Sequence, residues 1–151
     1  MRYLIILLLL AGCVSSQGVI DDTISQSIPN NAELVIATTD MNPADLFDLA
    51  RKSLIREGHR VDADSESLTL STEGLDVGQS TLARYTIYIE DSEIYGRADW
   101  SIGATASVMV TGSAAESGWE RARWSSGRPM RAFASLAAFM NEIPHDNIRY
   151  E

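Results

Sequence analysis

The chain has 151 residues and a formal net charge of −9, with 12 basic residues against 21 acidic ones and Lys52 as its single lysine. Acidity on this scale excludes the basic footprint of a nucleic-acid-binding domain, and the lack of any Gly-Lys-Ser/Thr excludes a Walker-type phosphate loop. Cys13 is the one cysteine, so no internal disulfide can form, and a packed core must hold the domain together.

Met1-Arg2-Tyr3 is a short, positively charged start, and Leu4 to Leu10 is unbroken Leu and Ile. The run is too short for a membrane-spanning helix, which needs about 20 apolar residues. It suits the apolar stretch of a secretory signal, about 7–15 residues followed by small ones. Leu10-Ala11-Gly12-Cys13 closes the run and resembles the lipobox of bacterial lipoproteins. The resemblance implies that residues 1–12 are removed, that Cys13 carries a diacylglycerol on sulfur, and that its new amino group is acylated. The alternative is plain secretion, with Cys13 an ordinary small residue. Loss of residues 1–12 removes Arg2 alone from the 12 basic residues and leaves a net charge of −10. Anionic headgroups would repel such a domain, so the lipid on Cys13 must supply the membrane attachment; two or three acyl chains anchor stably where one does not. Val14 stands where aspartate resembles an inner-membrane retention signal in enteric-type bacteria, which favours the outer membrane, facing the periplasm.

Residues 13–31 are mostly polar after the cysteine and read as a tether. Eighteen flexible residues have a root-mean-square span of roughly 25 Å. Ile20, Ile24 and Ile28 fall four apart, so a short docking helix is the alternative. A single domain is expected over residues 32–151. Glu33 to Thr39 is a short β-branched run that predicts a strand. Asn42-Pro43-Ala44-Asp45 opens a helix: Asn42 can cap, Pro43 suits the first turn and Asp45 favours the positive end of the dipole. Leu46, Leu49, Ala50, Ser53 and Leu54 share one face, and Gly58 is a natural stop.

Arg60 to Thr72 reads as one long or broken strand. Leu82 to Ile102 predicts a hairpin. With Asp91-Ser92 as a two-residue loop, Ile89 faces Ile94, Ile87 faces Gly96 and Tyr85 faces Ala98. On the other surface Tyr88 faces Tyr95 and Arg84 faces Asp99. That register yields an apolar face, an aromatic pair and an opposite-charge pair, each contributing about 0.2–1 kcal/mol. Asp-Ser is not the favoured Asp-Gly turn, so a longer loop with shifted register is the alternative. Thr105 to Thr111 predicts a strand, Gly112 to Gly118 a loop, and Trp119 to Trp124 a final strand. Pro129 to Glu142 predicts the last helix, with Met130, Phe133, Leu136, Ala137 and Met140 on its apolar face. Pro144 stops it, and His145 to Glu151 reads as a polar tail. The order predicts an α+β two-layer sandwich, a mainly antiparallel sheet with two helices on one face. In element order, residues 32–143 resemble the helix-grip and TATA-binding-protein-like domains of bacterial envelope lipoproteins. That resemblance carries no site residue.

Chemical motifs are few. There is no G-x-S-x-G elbow, H-E-x-x-H or G-x-G-x-x-G. His59 and His145 are expected to be surface histidines. Asp62, Asp64, Glu66 and Glu73 partly imitate a calcium loop, but Ser67 occupies the place of the required glycine, so a solvated strand edge is expected. Glu90, Asp91 and Glu93 read as a polar hairpin tip. Trp119, Arg121, Arg123 and Arg128 form the candidate partner-binding surface, because Trp and Arg are favoured at hot spots and Arg suits carboxylate or phosphate. The competing reading has Trp124 in the core and the arginines paired with nearby acids. These features together predict a non-enzymatic lipoprotein without cofactor or metal, an accessory or scaffold domain that binds another envelope protein. A small or lipidic ligand held between sheet and helices is the alternative, and an enzyme the third. An open apolar pocket would favour the ligand; a filled core with an exposed Trp/Arg strip would favour the protein partner.

Overall fold

The computed structural model describes residues 22–103 and 118–151. The expected signal, Cys13, the start of the tether, the expected strand Thr105 to Thr111 and the loop from Gly112 through residue 117 lie outside the described residues. The elements in chain order are α1 (Asp22–Ser27), β1 (Val35–Thr38), α2 (Pro43–Arg56), β2 (Val61–Asp64), β3 (Thr69–Thr72) and β4 (Leu75–Asp76). They continue with β5 (Thr81–Glu90), β6 (Glu93–Ile102), β7 (Glu120–Arg121), α3 (Gly127–Glu142) and β8 (Asn147–Tyr150).

The hairpin of β5 and β6 is the spine of the sheet. Its register pairs Ile89 with Ile94, Tyr88 with Tyr95, Ile87 with Gly96, Tyr85 with Ala98 and Arg84 with Asp99, as the side-chain pattern predicts. Asp91 takes φ 52° at the turn, a left-handed conformation that aspartate tolerates better than most residues. The strand order is β2-β3-β5-β6-β1-β8, every pairing antiparallel, with β4 on β5 and β7 on β6. Period-two alternation puts Ala83, Tyr85, Ile87 and Ile89 on one face, in a common core with Leu46, Ala50 and Leu54 of α2 and Phe133, Leu136 and Met140 of α3. The fold is therefore the expected α+β arrangement, with α2 and α3 covering one face of the sheet.

Local chemistry sets the helix ends. The Asn42 side chain accepts a hydrogen bond from the Ala44 N–H at 2.9 Å, and Pro43 opens α2. At the other end Gly58 takes φ 94°, its N–H donates to Ile55 and the His59 N–H donates to Leu54. That pair of bonds is a Schellman stop. α3 approaches β6 closely at Gly96, where an added Cβ would lie 3.1 Å from Leu136 Cδ1 and from Met140 Sδ.

Three features differ from the sequence reading. The chain packs before Ala32: α1 occupies part of the expected tether, and Ile28 is only 6% exposed in the core. The Asn31 N–H donates to the Trp124 carbonyl at 2.7 Å, and the Trp124 N–H donates to Ala32 at 2.8 Å. Ile28 thus finds apolar cover that a solvated tether would deny it. The stretch Arg60 to Thr72 takes the broken form of the two expected: it makes two paired strands, because Asp64 Oδ1 accepts the Glu66 N–H at 2.9 Å and Leu68 turns the chain at φ 49°. The expected final strand shrinks to Glu120–Arg121, after which the chain leaves β6 to carry Trp124 to Asn31 and Ala32. The polar tail is an edge strand, β8, in which Tyr150 is buried against Phe133 with ring centroids 6.4 Å apart.

Candidate functional site

The sheet face away from the helices gathers part of the expected Trp/Arg strip. β7 pairs with β6 so that Arg121 stands opposite Asp99, while Arg84 faces Asp99 from β5. Three strands thus carry a plus-minus-plus row. Arg121 Nε lies 3.1 Å from Asp99 Oδ1, and Arg84 Nη2 lies 3.2 Å from Oδ2. The Arg84 guanidinium also covers the Trp119 ring at 4.5 Å, a cation–π contact worth about 0.5–1 kcal/mol at an exposed site. Trp119 stays 36% exposed, and its ring edge rests on Gly74, where a Cβ would come within 2.5 Å of Cη2. Only a residue without a side chain lets the indole lie there.

The other two strip residues point elsewhere. Arg123 reaches Glu33 at 3.8 Å, both side chains about half exposed. Arg128 sits in the first turn of α3 with its Nε enclosed and unpartnered. Trp124 is half-buried and packs edge-on against Phe133 at 6.3 Å. Trp119 and Arg121 therefore belong to one cluster with Arg84 and Asp99, two residues that the hexapeptide alone did not suggest.

Further along the same face, Tyr88 and Tyr95 stack with centroids 4.5 Å apart and planes 3° apart. Glu93 is more than a polar tip. It receives two bonds from Arg149, at 2.6 and 3.0 Å, and others from the Tyr95 hydroxyl and Thr38 Oγ1. Arg149, then Tyr95, hold its carboxyl down at about 2. The same bond pushes the Tyr95 phenol up to about 12. The calcium-like segment is a hairpin in which the Asp64 side chain is already used by Glu66 and Ser67. Among the described residues, no three His, Cys, Asp or Glu side chains meet in a metal-binding group.

His59 overturns the expectation of a surface histidine. It is 6% exposed, its ring lies 4.9 Å from Tyr85, and Nδ1 has no hydrogen-bond partner. The Schellman turn at Gly58 folds the chain back and carries the ring inward; burial lowers its pKa. His145 is half-buried and within 2.7 Å of the Ile143 carbonyl through Nδ1. His59 also lines a cleft of about 940 Å³ between the end of α2, the outer side of α3 and the segment around β4. Glu57 and Glu142 line it too, and Tyr85 donates to its Ser135 at 2.7 Å. Desolvation first, then Glu142, push the Glu57 carboxyl up to about 7 against the pull of Arg56. Sequence reading missed this cleft. Its one signal was the spacing of Arg131, Ser135, Ala138 and Glu142 on a single helix face.

No protein-family model matches the chain, and no curated protein matches it.

Proposed function

We propose that the chain is a lipid-anchored, non-enzymatic domain that binds another protein of the bacterial envelope through the sheet face away from the described helices. Cys13 is the anchor in this reading, and Val14 favours the outer membrane, with the domain facing the periplasm. The observation that carries the reading is the Trp119–Arg84–Asp99–Arg121 cluster, which ties an exposed indole and two arginines together on a face that none of the described helices covers. Pre-ordered aromatic and arginine side chains lose little freedom on binding. The helix side, by contrast, is filled by Tyr85, Phe133, Leu136 and Met140, which disfavours a lipid held between sheet and helices. Among the described residues no helix is long and apolar enough to cross a membrane, so these residues offer no helical anchor of their own.

The anchor and the surface are tested separately. Mass spectrometry of the mature N-terminus is expected to find acylated Cys13, and Cys13→Ser to lose both the lipid and the cut. An unmodified terminus at another residue refutes the anchor. For the surface, a photo-crosslinking amino acid at Arg97, exposed on the sheet face, is compared with one at Arg51, exposed on α2. A discrete adduct from position 97 alone, lost in Arg121→Glu, supports the reading. Equal labelling from both positions, or none from either, refutes it.

A further inference from the structure

We propose that the cleft between α2, α3 and the β4 segment binds a short linear peptide by both charged termini, its ammonium group at Glu57 and Glu142 and its carboxylate at Arg131. The volume, about 940 Å³, lies within the range of about 300–1,000 Å³ common to small-molecule sites. Alanines at 134 and 138 keep the α3 wall low, and Met130 and Phe139 add apolar surface. The charges are separated along this wall. Arg131, Ser135, Ala138 and Glu142 follow at spacings of four, three and four on one side of α3. From Arg131 to Glu142 the rise is roughly 16 Å at about 1.5 Å per residue.

One end suits a cation. α2 ends at Arg56 with Glu57 as its cap, and α3 ends at Glu142, so two helix C-termini and two carboxylates converge there. Helix C-termini favour positive charge. Arg56 is the single cation lining this end among the described residues, and its guanidinium also donates to Ser53 at 3.5 Å. Desolvation first, and then the neighbouring Glu142 carboxylate, raise the Glu57 pKa. The other end suits an anion. Arg131 lines this end and forms no ion pair with the described residues. Asp76 lines the cleft nearby, but its Oδ1 is taken by the Gly78 N–H at 2.7 Å. A guanidinium presents a fork that matches a terminal carboxylate.

Between the ends, polar groups face an amide backbone. Ser135 accepts from Tyr85 and keeps its own hydroxyl proton to donate. His59 lines the wall, more than nine-tenths buried, with Nδ1 unpartnered. An extended peptide advances about 3.3 Å per residue, so about four residues join the two ends once side-chain reach is allowed for. A phosphorylated ligand would meet the repulsion of Glu57 and Glu142, and a lipid tail would leave Arg131 unpaired.

The test is a titration of the full-length, 15N-labelled protein in non-ionic detergent micelles with tetra-alanine, followed by amide chemical shifts. Saturable shifts are expected around residues 56–59, 76–78 and 130–142. N-acetylation and C-amidation of the probe should each weaken binding by at least about tenfold. Arg131→Gln should bind the free peptide and its amide equally weakly, and Glu142→Gln should lose the penalty for acetylation. Both variants should keep the wild-type spectrum elsewhere, since Arg131 and Glu142 form no ion pair with the described residues. Absent saturation at millimolar peptide, equal binding of blocked and free peptides, or shifts confined to the sheet face overturns the proposal. None of these results bears on partner capture at the sheet, which uses different residues.

Discussion

At the scale of single residues, the arginines of the open face differ in how much they contribute to stability. Arg121 and Asp99 are partly exposed, 39% and 21% by side chain, and such pairs contribute at most about 1 kcal/mol. Arg121→Ala is therefore expected to lower stability by no more than about 1 kcal/mol in urea denaturation, while partner crosslinking from position 97 falls sharply. A larger loss of stability would make Arg121 a structural residue and remove support for the binding surface. Glu93 and Glu57 titrate in opposite senses. Glu93 binds its proton less readily when folded, its pKa held at about 2 against an ordinary 4.5. Its contribution is complete above 4.5 and is lost as the pH falls toward 2. Glu57 is shifted upward to about 7. Its contribution is present below 4.5 and is lost as the pH rises toward 7. Denaturation curves at several pH values should show that Glu93→Gln removes part of the acid sensitivity. In the same series Glu57→Gln should flatten the decline between 4.5 and 7.

At the scale of elements, α3 approaches β6 closely at Gly96. Gly96→Val adds branched bulk where even one methyl group would stand 3.1 Å from Leu136 and Met140. The expected cost is about 1–3 kcal/mol, measured by chemical denaturation; a variant of wild-type stability would show that α3 can ride outward. The β5–β6 hairpin and α2 were legible in the sequence because their signals are local. Complementary pairs flank Asp91-Ser92 across a ten-residue strand, and Asn42, Pro43 and Gly58 mark both ends of one helix. β8 was not legible. Asn147-Ile148-Arg149-Tyr150 is four residues long, and its partner β1 lies over a hundred residues away. Nothing in so short a segment distinguishes an edge strand from a polar tail until Val35 to Thr38 is beside it. His59 fails for a related reason: a residue after a helix stop reads as solvent-facing unless the turn's direction is known.

At the scale of the molecule, the two surfaces lie on different layers. The open sheet face carries Trp119 and its arginines; the cleft runs along the helix layer. The first was partly readable, since Trp119 and Arg121 are near neighbours in sequence. The second assembles Glu57 and His59 from the end of α2, Arg131 and Glu142 from α3, and the turn near Gly78, so no single window of sequence contains it. Phe133 ties the layers together through contacts with Trp124 and Tyr150. Phe133→Ala should cost about 3–5 kcal/mol, seen as a lowered melting midpoint, and should weaken both surfaces together where Arg121→Ala or Arg131→Gln touches one.

The pairing of the segment before β1 with the residue after β8 has a mechanical consequence. Leu34 and Glu151 exchange backbone hydrogen bonds at 2.7 and 2.9 Å, and β1 lies inside the sheet with β6 on one side and β8 on the other. A tug transmitted along the N-terminal segment reaches β1 by way of the packed Ile28 and the bonds of Asn31 and Ala32 to Trp124, and then loads β1 lengthwise. Lengthwise loading strains both of its ladders at once instead of unzipping them one bond at a time. A domain held by its leading end, and gripped by a partner on its sheet, would thus be shaped to bear tension.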